Sequence, residues 1–170
     1  MDDASLDNTV KIIKKIKDKR IRLYQNLKNL GLGKSRIKAQ RYIKGKYVTI
    51  IDGDDFFEKK KIKEQVEILN RNSNIGLVST WTKILNSKDK KVIREFKSYK
   101  NNNHIKKNLF YLNSIPHSSI MYRKNLAQKV GWYSKKLDYA QDYDLTLKIL
   151  GISDFYLIRK FLTNITTGEK

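Results

Sequence analysis

The chain has 170 residues, 39% hydrophobic and 32% charged, which suffices for one globular core and falls short of two. Its formal net charge of +20, from 37 Lys and Arg against 17 Asp and Glu, suits polyanions, anionic lipid headgroups or phosphorylated substrates, although the cations are spread along the chain rather than gathered in a patch. The absence of Cys excludes a disulfide framework, a thiolate metal site and a Cys nucleophile.

No apolar run reaches the ~18 residues of a membrane span, and Met1-Asp2-Asp3 lacks the basic and apolar regions of a secretory signal. The expectation is a soluble cytoplasmic protein able to lie at a membrane face. In chain order, Asp2 to Thr9 is a cluster of loop and N-cap residues, followed by Val10, Ile13 and Ile16 at helical spacing. Ile21-Arg22-Leu23-Tyr24 reads as a short strand. Asn26 to Gly33 reads as a loop whose glycines permit close backbone approach to a ligand. Lys34 to Ile43 can form a helix that stops at Lys44-Gly45.

Tyr47-Val48-Thr49-Ile50-Ile51 then predicts a strand buried on both faces, ending abruptly in Asp52-Gly53-Asp54-Asp55. Lys59 to Leu69 is helical through Ile62, Val66 and Leu69, and Ile75 to Trp81 is a further strand. Asn86 to Asn103 is Lys/Asn-rich and predicts an exposed hairpin and loop, with Val92-Ile93 and Phe96 as its strand content. Ile105, Leu109 and Leu112 can share a helical face. Ile115-Pro116-His117-Ser118-Ser119-Ile120-Met121-Tyr122 reads as a strand with Pro at its start, Asn125 to Val130 and Asp142 to Leu150 as helices, and Phe155 to Ile158 as a last strand. Strands alternating with helices predict one α/β domain with a largely parallel sheet.

In an open α/β sheet the carboxyl ends of the strands border the ligand crevice, which places Asp52 and Asp54 where chemistry is expected. Carboxylates one residue apart repel each other, and a divalent cation relieves that repulsion. Oxygen ligands of this kind suit magnesium or manganese with a diphosphate completing the shell, whereas a solvated Asp/Gly turn is the plain alternative. An EF-hand is excluded, because counting from Asp52 puts Phe57 and Lys63 where that loop needs Gly and Glu. Asp142 precedes a helix, where it serves either as a cap or, facing the same rim, as a general base. His104 and His117 lack partners at ligand spacing and read as surface or core histidines. Trp81 and Trp132 read as packing residues.

Together these pieces resemble the family 2 glycosyltransferases of GT-A fold, which use nucleotide-sugar donors. The resemblance is carried by Asp2 to Thr9, Asn29-Leu30-Gly31-Leu32, Lys44-Gly45-Lys46-Tyr47 and Ile51-Asp52-Gly53-Asp54-Asp55. It continues through Ile115 to Arg123 and from Gly131-Trp132 to Asp142-Tyr143-Asp144-Leu145, so that it covers about residues 2 to 150. It implies a Rossmann-like, mostly parallel sheet with flanking helices in one partial domain over 1–170. The donor-binding part would span about 1–57 and the acceptor-side part about 75–150.

It also implies roles. Asp3 would contact the nucleobase, Asp52 the ribose or diphosphate, and Asp54 the Mg2+ or Mn2+ that bridges the diphosphate. Lys34 or Arg36 would add cationic contacts, and Asp142 would deprotonate the acceptor hydroxyl for an inverting displacement. The first strand, first helix and most of the second strand of the family have no counterpart here. Gln141 stands where Glu is common, and Ile37 where Asn is common. The implied partners are a nucleotide-sugar donor, a saccharide or lipid-linked acceptor and an anionic membrane surface, in polysaccharide or glycoconjugate synthesis. Two rival readings are a basic nucleic-acid-binding protein and a catalytically dead remnant that binds nucleotide or a partner chain.

Overall fold

The structure, a computed structural model, describes residues 1–167. Helix α1 (Thr9–Lys15) follows the acidic start, and α2 (Leu32–Ala39) tightens into a 3-10 turn at Gln40–Tyr42. Strands β1 (Tyr47–Thr49) and β2 (Phe56–Phe57) flank the acid loop, and α3 (Lys61–Arg71) leads into β3 (Ile75–Asn86) and β4 (Val92–Phe96). The remainder is α4 (Asn102–Asn108), a 3-10 turn at His117–Ser119, β5 (Met121–Arg123), α5 (Lys124–Lys129), α6 (Gln141–Gly151) and β6 (Asp154–Thr167).

The strands form one sheet in the order β1-β5-β3-β6-β2, with β4 added to β3. Its centre is the parallel pairing of β3 with β6, which runs from Ile75 opposite Asp154 to Asn86 opposite Thr167. A parallel pair needs a long crossover, and α4, α5 and α6 supply it. Every other pairing within this sheet, among the described residues, is antiparallel, so the sheet is mixed rather than mostly parallel. The short turn from β3 to β4 allows nothing else, and β5 runs against both of its neighbours.

Alternation along β3 sends Leu77 to one face and Val78 to the other, each fully buried. Leu77 joins Tyr122, Leu109, Leu145 and Ile149 beneath α4 to α6, while Val78 joins Leu69, Met121 and Ile158 beneath α3. Burying each of these side chains contributes about 1.5–3 kcal/mol. Within α3 the innermost line is Lys61, Gln65 and Leu69, four residues apart, and the expected Ile62 faces outward. Gln65 is accommodated there because its amide nitrogen donates to the carbonyls of Val78 (3.1 Å) and Ser119 (2.9 Å).

Several local expectations are corrected. Ile21 to Tyr24 forms no strand; a single parallel bridge joins Asp2 to Gln25. Residues 115–120 turn through a 3-10 helix instead of extending, which reduces the strand there to Met121–Arg123. The last strand is much longer than Phe155 to Ile158, because its second half pairs with β2 and with the far end of β3. Ile105 and Leu109 are buried as expected, but Leu112 lies beyond the helix and exposed. The outer edge of β1 has no strand partner among the described residues. Beside it lies a cavity of about 360 Å3 bordered by Ile43, Val48, Ile50 and Tyr122.

Lys61 is fully buried without a carboxylate partner. Its Nζ donates to Thr49 Oγ1 at 3.2 Å and sits 3.8 Å from the centroid of the Phe57 ring. Burial lowers its pKa to about 7. The unfolded chain therefore binds more protons than the folded one between pH 7 and the ordinary lysine value, and this residue's contribution to stability rises with pH across that window. Lys61→Met is expected to stabilise the fold at pH 6.5 by on the order of 2–4 kcal/mol, with the gain shrinking by pH 9.5. Urea unfolding at the two pH values measures both effects.

Candidate active site

The carboxyl end of β1 releases the chain into the turn Asp52-Gly53-Asp54-Asp55, where the Asp55 N–H donates to the Asp52 carbonyl at 3.1 Å. Asp55 anchors this turn from both of its oxygens. Ser118 Oγ donates to Oδ2 at 2.5 Å, and the Thr166 backbone N–H donates to Oδ1 at 3.1 Å. The acid loop is thus fastened to the 3-10 turn before β5 and to the end of β6. Burial raises the Asp55 carboxyl above its ordinary value, over the opposing hydrogen bonds and with help from the Asp54 and Asp52 charges.

With Asp55 occupied in this way, the other two acids divide. Arg36 on α2 donates Nη2 to Asp52 Oδ1 at 2.8 Å, while its Nε is buried without a partner. Asp54 is exposed and has no hydrogen bond or ion pair among the described residues. Across the gap α6 begins at Gln141, and Asp142 lies in its first turn with only the adjacent Tyr143 N–H on its side chain, at 2.9 Å. The N-cap position belongs to Ala140 in a left-handed conformation, so Asp142 is not that helix's cap.

The result is one crevice of about 390 Å3 walled by Arg36, Asp52, Asp54, His117, Ser118 and Asp142. Three of the acids singled out in the sequence therefore meet in one cavity. Lys34 lies outside it, exposed on the wall of an adjoining cavity of about 660 Å3 that shares Arg36 and Asp142. Asp3 lies apart from both. Its Oδ1 accepts from Asn26 Nδ2 (2.7 Å) and the Leu30 N–H (2.9 Å) in the Asn26 to Gly31 loop. Desolvation raises this carboxyl, but the Leu30, Asn26 and Ser35 hydrogen bonds outweigh it and hold it below its ordinary value. Gln141 also finds a role: a Cβ on Gly33 would meet its side-chain amide at 2.5 Å, so α2 and α6 touch through a glycine.

His117, read from the sequence as a surface or core histidine, is largely buried and also walls the crevice. Its Nε2 lies 3.3 Å from the Tyr133 hydroxyl, and its Nδ1 is buried without a partner in the crevice wall. Burial lowers its pKa to about 4, aided by the Arg36 charge and over the opposing Asp142 and Asp52, which leaves the ring neutral near pH 7. No periodicity marks such a residue. The one available signal was its place directly after Pro116, in a segment that delivers the chain to a buried strand. Asp55 was equally silent, since a third acid in an Asp/Gly turn reads as solvation.

A divalent cation fits this donor set only with substrate as co-ligand. Asp52 is engaged by Arg36 and Asp55 by Ser118 and Thr166, and no group of three His, Cys, Asp or Glu side chains converges among the described residues. Asp54 offers one free carboxylate. Mg2+ and Mn2+ accept such a site when phosphate oxygens and waters fill the remaining positions.

Comparison with known proteins identifies the family and the fold. The model of glycosyl transferase family 2 matches residues 1–131. An uncharacterised glycosyltransferase of Methanocaldococcus jannaschii is 32% identical over 166 residues, 95% of this chain and 57% of that relative. An Escherichia coli UDP-Glc:alpha-D-GlcNAc-diphosphoundecaprenol beta-1,3-glucosyltransferase is 38% identical over 68 residues, 40% of this chain and 27% of its own length. The chain thus spans little more than half the length of the curated relatives that it matches over 95% of its residues. Among solved structures, S. aureus TarS in complex with UDP-GlcNAc superposes with a TM-score of 0.77 at 20% identity, over 99% of this chain and 49% of that one. A mannosyltransferase from Pyrobaculum calidifontis in complex with GDP-Man and Mn2+ gives 0.70 at 15% identity, over 99% and 47%. With a mixed α/β sheet of GT-A type and the family pattern across most of its length, the chain belongs to glycosyl transferase family 2.

Proposed function

We propose that the chain carries the catalytic crevice of an inverting glycosyltransferase. Such an enzyme moves a sugar from a nucleoside diphosphate donor to an acceptor hydroxyl in polysaccharide or glycoconjugate synthesis. The observation that carries this reading is the single cavity that gathers Asp52, Asp54 and Asp142 beside Arg36. The donor side is formed by residues of about 1–57 and the acceptor side by about 75–150. Asp3 and the Asn26 to Gly31 loop receive the nucleobase. Asp52 and Arg36 orient the ribose and diphosphate, with Lys34 as an outer cation.

Asp142 acts as general base, taking the proton from the acceptor hydroxyl as that oxygen attacks the anomeric carbon from the side opposite the leaving diphosphate. Having no partner beyond the Tyr143 N–H, it is free to accept that proton. Its approach is framed by a neutral His117 ring, which offers polarity without a competing charge. Asp54, with the diphosphate, is the ligand for Mg2+ or Mn2+, and the ion when bound offsets the negative charge that builds on the departing nucleoside diphosphate. The Mn2+ in the mannosyltransferase complex supports this choice of metal, and UDP-GlcNAc in TarS supports a nucleotide-sugar donor. The glucosyltransferase relative's diphosphoundecaprenol acceptor supports a lipid-linked acceptor and a position at the cytoplasmic membrane face. No helix among the described residues is long and apolar enough to cross a membrane.

The decisive experiment incubates the 170-residue chain with UDP- and GDP-sugars and Mg2+ or Mn2+, and follows nucleoside diphosphate release and donor binding. Asp142→Asn is expected to lower turnover by about 10²–10⁴-fold with donor affinity unchanged; equal turnover removes Asp142 from the role of base. Calorimetry is expected to detect metal binding only once nucleoside diphosphate is present, and Asp54→Ala to abolish that coupling. Tight metal binding by the protein alone, or coupling that survives Asp54→Ala, contradicts the proposed ligand set.

A further inference from the structure

The segment from Lys88 to Leu112 has no part in the chemistry above, and it combines basic side chains with exposed apolar ones. It holds eight Lys or Arg against two acids, Asp89 and Glu95, and Glu95 is bound at 2.8 Å to Lys97. Over the same stretch large apolar side chains stand in solvent. Tyr99 is 67% exposed, Phe110 53%, Tyr111 90% and Leu112 67%, and Val92 and Ile93 on β4 are exposed as well. Three consecutive large apolar residues in water have no structural use within the chain.

The fold brings the middle of this segment beside its C-terminal end. A groove of about 310 Å3 is bordered on one side by Arg94, Lys97 and Lys100 and on the other by Asn108, Ser114 and Ile115. The exposed 110–112 tip is fixed at its base, since Leu109 is fully buried and its carbonyl accepts from the Tyr143 hydroxyl on α6. That tip leads directly to Pro116 and His117 at the crevice.

We infer that the basic, apolar-tipped segment Lys88 to Leu112 is a docking face for an anionic membrane surface. Phe110, Tyr111 and Leu112 enter the headgroup region, and Arg94, Lys100 and Lys107 meet lipid phosphates around them. Aromatic side chains with a polar tip favour that interfacial zone, and Lys and Arg keep their charged ends at headgroup level while their stems stay apolar. Single-stranded nucleic acid would also accept cations and aromatic rings. It gives no return for exposed Val92, Ile93 and Leu112, which cannot stack on bases and gain only by leaving water. Placement on a membrane deepens the transferase reading for an acceptor held at a lipid surface, but membrane binding requires neither donor nor turnover.

The test is co-sedimentation of the 170-residue chain with phosphatidylcholine vesicles and with vesicles that also contain phosphatidylglycerol. Binding to the anionic vesicles is expected to weaken with salt and to fall about tenfold or more in a combined Phe110→Ser, Tyr111→Ser, Leu112→Ser variant and in a Lys100→Glu, Lys107→Glu variant. A Lys11→Glu, Lys14→Glu control on α1 matches the change of charge and is expected to lose much less. All substituted side chains are exposed, and unchanged far-UV circular dichroism checks folding. Tyr111→Trp supplies a second readout, with an emission shift to the blue on anionic vesicles. The inference is overturned if the apolar triple variant binds vesicles as the parent does, if the α1 control loses as much, or if both patch variants lose single-stranded RNA binding alone. Loss of vesicle binding with retained donor hydrolysis, or the reverse, separates this inference from the transferase reading.

Discussion

The clamp on Asp55 is the constraint from which the rest of the site follows. One carboxylate, held by the Ser118 hydroxyl and the Thr166 backbone, joins three segments that are far apart in sequence. Without it, the turn after β1 would be three mutually repelling acids on a short strand. With it, the turn has a fixed direction, and the two remaining acids take different partners. Because Ser118 sits in the 3-10 turn that also presents His117, the same bond sets two walls of the crevice relative to each other. The exchange of an extended segment for that turn is therefore what allows the crevice to exist.

Electrostatics then separates the acids by environment. Arg36 neutralises Asp52, burial raises Asp55, and Asp54 is left exposed in a chain of net charge +20. A strongly basic protein that keeps one free carboxylate at a cleft does not hold a divalent cation well by itself. On the proposed reading it would hold one that arrives bound to a diphosphate, since the surrounding cations would attract the phosphate and Asp54 would complete the shell. Arg36 faces both demands. It cancels a carboxylate and leaves its Nε unpaired within reach of the cavity wall.

Much of this was legible from sequence, for identifiable reasons. The β-branched run Tyr47 to Ile51 ending in acids located a strand terminus, and the spacing of Tyr143, Leu147 and Leu150 located α6, so Asp52, Asp54 and Asp142 could be placed at element ends. Pairing direction could not be read, because period-2 alternation is the same in parallel and antiparallel strands. The length of β6 was hidden for a related reason: its polar second half, with Arg159, Lys160 and Asn164, gains strand geometry from long-range partners. Lys61 and Gln65 defied the apolar pattern of α3 because buried polar side chains answer to acceptors elsewhere in the fold, the Thr49 hydroxyl for Lys61 and two carbonyls for Gln65.

The open edge of β1 bears on how stability is distributed over the molecule. The central ladder of β3 and β6 is bonded on both sides and covered on both faces, whereas the strand that delivers the acids has one bonded neighbour, three paired residues and a cavity along its flank. Local opening should therefore be least costly where the ligand is received, and amide exchange in Tyr47 to Thr49 should run far ahead of that in Leu77 to Thr80. A crevice built on the softest rim of a rigid sheet can tighten around an occupant while the core beneath it stays unchanged.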